Sequence, residues 1–169
     1  GDTPSVVNRS ILTKDSPIAD VIVGINDILL YRALEYDILE PYDSPALESI
    51  PAEYIQDTSL KALPFDYGNV CINYDTEYFE KNALEIPESL DDLTDAKYKG
   101  LLVIENPTSS APGQSFFLAT VANYGEEGFV DYWNKLLEND ILIDNDWSTA
   151  YYTSFTAGGG NGPRPMVVS

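Results

Sequence analysis

Leu101-Leu-Val-Ile-Glu105 is the segment that most restricts what this chain can fold into. It is a continuous apolar, β-branched run, and its shortness marks a strand rather than a core helix. A polar, proline-containing loop follows over residues 106–113, and apolar residues at Phe116, Phe117, Leu118 and Val121 then predict a helix ending near Gly125. A second helix carries Phe129, Val130, Trp133, Leu136 and Leu137 on one face. Beyond it come a strand at Ile141-Leu-Ile143, a turn at Asp146-Trp147-Ser148, a helix over residues 149–155, a flexible loop over 158–162 and a last strand over 165–169. Upstream, Ala19-Asp-Val-Ile-Val-Gly24 predicts another buried parallel strand, and Asn26 or Asp27 caps a helix over residues 28–34. Residues 38–60 are loop-rich, punctuated by Pro41, Pro45 and Pro51. From Ala62 to Tyr74 the flanks of Asp66-Tyr67-Gly68 read as extended. Asp75 caps a short helix through Phe79, and Ser89-Leu-Asp-Asp92 opens another that Gly100 closes. Strands alternating with helices give an α/β fold with a mainly parallel sheet.

Composition narrows the function classes. With 44% apolar residues over 169, the chain can bury a sizeable core. Lys plus Arg number 9 against 28 Asp plus Glu, a formal net charge of -19. Phosphate binding of the nucleic-acid kind needs clustered cations, so nucleic acid is excluded as a partner, and anionic lipid is disfavoured. The acidity reads as a well-solvated surface, with adaptation to high salt as the alternative. Histidine is absent, which removes Ser-His and Cys-His nucleophiles and every His-containing zinc site. The lone Cys71 reads as a small apolar residue of a strand. No stretch approaches a membrane span, no signal pattern opens the chain, and its far end reads as cut within a strand.

Three places put polar or aromatic groups at strand ends, where open α/β sheets bind ligands. Asp66 and Tyr67 either face a cationic ligand or form a structural turn. The loop holding Ser109 and Ser110 is either an anion site at a helix start or a plain helix cap. Trp147, in the turn before Ser148 and Tyr151, either stacks on a planar ring or is buried as Trp133 is.

Taken in order, six segments resemble the thiamine-binding branch of the extracellular solute-binding proteins of ABC transporters. The first three are Ala19-Asp-Val-Ile-Val-Gly24, Pro64-Phe-Asp-Tyr-Gly68 and Pro87-Glu-Ser-Leu-Asp-Asp-Leu93 running to Gly100. The others are Asn106-Pro-Thr-Ser-Ser-Ala-Pro-Gly113, Trp147-Ser-Thr-Ala-Tyr151 and Met166-Val-Val-Ser169. The resemblance implies a type II periplasmic-binding-protein fold, with one lobe largely complete and the other partial. By it, residues 1–64 are a partial first lobe, 65–74 a hinge crossing, 75–164 the second lobe and 165–169 the start of a return strand. It implies capture of thiamine or a thiamine phosphate in an interlobe cleft and delivery to a membrane permease. The protein is then periplasmic or extracellular, monomeric, non-enzymatic and without a cofactor or metal. Ser110 and Trp147 correspond to residues that contact the vitamin, with Asp66, Tyr67, Ser109, Ser148 and Tyr151 as neighbours. Asp146 stands where relatives often carry glycine, and Asn69 where an aromatic is common. A ferric-iron or polyamine-like carrier is the alternative within the fold, and a thiaminase-like enzyme built around Cys71 is the rival outside it. For iron, Tyr151 and Tyr152 are consecutive on a helix and point about 100° apart, a poor chelating pair.

Overall fold

In the computed structural model, residues 3–159 and 161–169 are described. The chain divides into two compact units, Gly1–Asn69 and Val70–Ser169.

In the first unit, α1 spans Thr3–Leu12 and α2 spans Asp27–Glu35. The two helices meet, and Val7, Leu29 and Ala33 are buried on them. Asn26 is the N-cap of α2, its side-chain oxygen accepting from the Leu29 N–H at 3.0 Å. Helix α1 has no counterpart among the elements expected from the sequence. Short 3-10 turns at Pro45–Ser49 and Ala52–Tyr54 match the proline-punctuated stretch. The strand predicted over residues 19–24 is corrected. These residues form no ladder, and Val21 and Val23 are 75% and 65% exposed. Among the described residues this unit holds no strand, so nothing within it completes the hydrogen bonds a parallel strand needs.

The second unit is a four-stranded sheet with helices against it. Strand β1 is Ile72–Tyr74, α3 is Thr76–Lys81, β2 is Leu102–Glu105 and α4 is Ala111–Glu138. Strand β3 is Leu142–Asp144, α5 is Trp147–Thr149, α6 is Thr156–Gly159 and β4 is Met166–Val168. The spatial order is β1-β4-β2-β3. Strand β2 runs parallel to both β4 and β3, and β1 runs antiparallel to β4.

Alternation along the strands divides the core. Leu102, Ile104, Met166 and Val168 face one side with Phe116, Tyr132 and Leu136 of α4. Val103 and Val167 face the other, under Ala150 and Phe155. Gly113 lets α4 approach β2: a Cβ there would lie 2.2 Å from the Glu105 carbonyl oxygen. Gly125 breaks α4 at φ 73°, a region glycine enters freely. The chain folds back there, bringing Phe117 against Phe129 and Trp133, whose Nε1 donates to Thr120 at 2.8 Å.

Two local expectations are revised. The loop predicted over residues 158–162 begins inside α6, where a Cβ on Gly158 or Gly159 would meet the Tyr151 or Tyr152 carbonyl oxygen at 1.8 or 2.0 Å. Gly160 lies outside the described residues. Cys71 is exposed, just before β1, its backbone exchanging hydrogen bonds with Ser169.

Candidate functional site

Parallel β2, β3 and β4 end on the same edge of the sheet, so the segments leaving them are neighbours. Ser110 is the N-cap residue of α4, with extended backbone. It is fully buried, and its Oγ has no hydrogen-bond partner. Asn106 braces the loop, its side-chain oxygen accepting from the Thr108 N–H at 3.0 Å and from the Thr108 hydroxyl at 2.8 Å. The Ser109 hydroxyl donates to the Asn145 carbonyl at 2.6 Å. That bond, with Asn106 N–H to Asp144 carbonyl at 2.7 Å, fastens the serine loop to the segment before Trp147.

Trp147 is the first residue of α5 and not of a preceding turn, a correction to the sequence reading. Asp146 is the N-cap, accepting from the Thr149 N–H at 2.9 Å and the Thr149 hydroxyl at 2.8 Å. These bonds, the backbone one first, hold the Asp146 carboxyl below its usual range. Beyond Thr149 the helix widens into a π turn over Ala150–Ser154. The indole is half-buried, stacks on Tyr151 with centroids 4.9 Å apart, and donates from Nε1 to the Ser169 hydroxyl at 2.8 Å. Tyr151 is packed into the second core cluster, whereas Tyr152 is exposed and nearly perpendicular to it. The two phenols therefore face different surroundings.

Ser109, Ser110, Trp147, Ser148 and Tyr151 thus fall along one edge of the sheet, with Ser148 exposed. Asp66 and Tyr67 belong to the first unit, where Tyr67 is exposed and stacks on Tyr54 at 4.7 Å. Three residues of this edge were not among the site candidates drawn from the sequence: Glu105, Asp144 and Ser169. The first two end parallel strands and the third directly follows one, and that position was the available signal. Among the described residues no group of three or more Cys, Asp or Glu could hold a metal ion. No helix among them is long and apolar enough to cross a membrane.

The sequence pattern of the bacterial extracellular solute-binding proteins matches residues 16–160 of this chain. The chain belongs to that family. The thiamine-binding periplasmic protein of Escherichia coli (strain K12) is 28% identical over 152 residues, which are 89% of this chain and 44% of that protein. The protein of the same name from Brucella suis biovar 1 is 27% identical over 169 residues, 99% of this chain and 47% of its own length. This member of the solute-binding family therefore spans about half the length of the curated relatives it matches. Its fold is that of a periplasmic binding protein. A solved periplasmic thiamin binding protein superposes with a TM-score of 0.71 at 21% identity, covering 99% of this chain and 49% of that one. The binding protein AfuA of Actinobacillus pleuropneumoniae, with fructose-6-phosphate bound, gives 0.78 at 25% identity, covering 99% and 52%.

Proposed function

We propose that this chain is part of the solute-binding component of an ABC importer, and that the ligand is thiamine or a thiamine phosphate. The observation that carries the reading is the Ser109–Asn145 hydrogen bond, which ties the serine loop to the indole-bearing helix start. One wall then combines a buried, unpartnered Ser110 hydroxyl, the N-terminal N–H groups of α4 and a half-buried indole. Such groups suit a ligand with a planar ring and a polar arm. Relatives named for thiamine, matched over most of this chain, support the same choice.

In this reading Ser110 and Trp147 are primary contacts, with Ser109, Ser148 and Tyr151 around them. Asp66 and Tyr67 are further neighbours of the ligand, from the hinge crossing. Residues 1–64 are lobe one, 65–74 that crossing, 75–164 lobe two and 165–169 a return strand; the division of the chain after Asn69 supports that scheme. The protein works in the periplasm or at the cell surface as a monomer, and hands its ligand to a membrane permease. Its role is binding, in keeping with the relatives' names and with a chain that holds no histidine.

Calorimetry on the full-length protein with thiamine, thiamine phosphates, Fe(III) and putrescine tests this. Binding of a thiamine form at roughly micromolar strength or tighter is expected, with quenching of Trp147 fluorescence. No heat with any thiamine form would end the reading.

A further inference from the structure

We infer that Ser169 is a positioning residue for ligand capture, its hydroxyl holding the Trp147 indole in the orientation in which the ring meets its ligand. This rests on the thiamine reading, in which Trp147 is a primary contact, and extends it to a residue that acts through the indole.

The indole is anchored at two ends. At the backbone end, the Ser109 hydroxyl donates to the Asn145 carbonyl at 2.6 Å, and Asp146 caps the helix start through Thr149. At the far end of the ring, Nε1 donates to the Ser169 hydroxyl at 2.8 Å, across 22 positions of sequence. Between these ends the ring lies on Tyr151, with centroids 4.9 Å apart and 18° between the planes, and Tyr152 stands edge-on at 5.3 Å. Tyr151 is itself fixed, packed against the second core cluster with Phe155 at 5.6 Å.

Stacking alone leaves the indole free to slide and to turn within its own plane, because ring contacts tolerate a range of offsets. The Nε1 proton is the ring's one hydrogen-bond donor, so a fixed acceptor at that edge removes the remaining freedom. Ser169 is such an acceptor. Its carbonyl accepts from the Cys71 N–H at 2.8 Å and its N–H donates to the Cys71 carbonyl at 2.9 Å, which extends the β1–β4 ladder by one pair. Strand β4 is an inner strand, flanked by β1 and β2, so the residue that follows it inherits a backbone paired into the sheet. Alternation then decides the face. Ser169 lies two residues beyond Val167, which packs with Ala150 and Phe155, so its side chain leaves the sheet on the side of the π turn that carries Tyr151.

The energetic role follows. A ring already held in place loses less freedom when a ligand stacks on it than one that must first be ordered. Without the Ser169 oxygen, the half-buried indole N–H loses this acceptor and the ring can turn on Tyr151.

Nuclear magnetic resonance and calorimetry on the full-length protein test this, with thiamine as the probe and Trp147→Phe identifying the Trp147 indole N–H signal. In the wild-type protein that proton is expected to exchange slowly with solvent, both with and without thiamine. Ser169→Ala should speed the exchange and weaken thiamine binding by about three- to tenfold, the range set by one hydrogen bond. Ser169→Thr, which keeps the hydroxyl, should restore both. In a Trp147→Phe background, Ser169→Ala should cost nothing further, since the serine acts through the indole. Thermal melts check that each variant folds. Unchanged affinity in Ser169→Ala, or an equal loss in the Trp147→Phe background, overturns the inference and leaves the thiamine reading standing. So does a fast-exchanging Trp147 N–H in the wild-type protein, which decides the matter even where Ser169→Ala fails to fold. No binding of thiamine by the wild-type protein, or full affinity in Trp147→Phe, removes the Trp147 reading and the inference with it.

Discussion

The two compact units handle apolar sequence in opposite ways. In the second, Leu102–Glu105 is buried along its whole length between β4 and β3. In the first, Val21 and Val23 belong to an equally β-branched run and stay exposed. Both segments have the side chains of a strand. Only one has neighbours whose N–H and C=O groups complete a ladder, and backbone pairing is what fixes a strand in place. Burial in the first unit comes from the contact of α1 with α2, a much smaller core.

The sharpest way to break this contrast is a matched pair of truncations. Leu136→Ala, in the core beneath the sheet, should cost about 2–5 kcal/mol in urea unfolding followed by fluorescence of Trp133 and Trp147. Val21→Ala should stay within about 0.5 kcal/mol. A large effect at Val21 would mean that its exposure misrepresents its role. Next in size is Gly113→Ala, whose Cβ would press on the Glu105 carbonyl at 2.2 Å. A loss of roughly 1–3 kcal/mol is expected from such overpacking, with ligand affinity falling too because the serine loop must shift.

Asn26→Ala probes the first unit alone. Loss of the cap should cost about 1 kcal/mol and raise amide exchange in the first turn of α2, read by hydrogen exchange. Acid titration probes the second. The Asp75 carboxyl accepts hydrogen bonds from the Thr156 hydroxyl and the Tyr78 N–H, which hold it below its usual range. A depressed carboxyl stabilises the fold above its unfolded value, and that contribution disappears as pH falls through the folded one. Stability measured by fluorescence should therefore drop on the acid side, and Asp75→Asn should flatten that limb. The smallest effect expected is from salt. With a net charge of -19, added salt should raise the melting temperature by screening self-repulsion.

Much of the second unit was legible because its signals are local. The short apolar runs at Leu101-Leu-Val-Ile-Glu105 and Ile141-Leu-Ile143 marked the strands found at Leu102–Glu105 and Leu142–Asp144, and Asp75 marked a cap. The break at Gly125 followed from a glycine between two amphipathic faces. What escaped depends on distant partners. The fate of residues 19–24 hangs on pairing that their own side chains do not encode. Trp147 lies inside its helix because Asp146 caps through Thr149, a competition between adjacent polar residues that spacing alone leaves open. Gly158 and Gly159 lie in a helix packed so close to the Tyr151 and Tyr152 carbonyls that no Cβ would fit, a contact their own composition hides. For the candidate site, residue types picked out the serine loop and the indole; that Glu105 lies opposite Asp144 needed the register of two strands.

The place of β4 also sets an order of assembly. It lies between β1 and β2, yet Ile72 and Val168, which pair across the β1–β4 ladder, are far apart in the chain. Contacts of such long separation form slowly, since a large loop must close before they add anything. The hydroxyl that holds the Trp147 indole sits directly after that strand. Under the proposed function, a nascent or partly unfolded molecule lacks the wall holding Trp147 until the β1–β4 pairing is made.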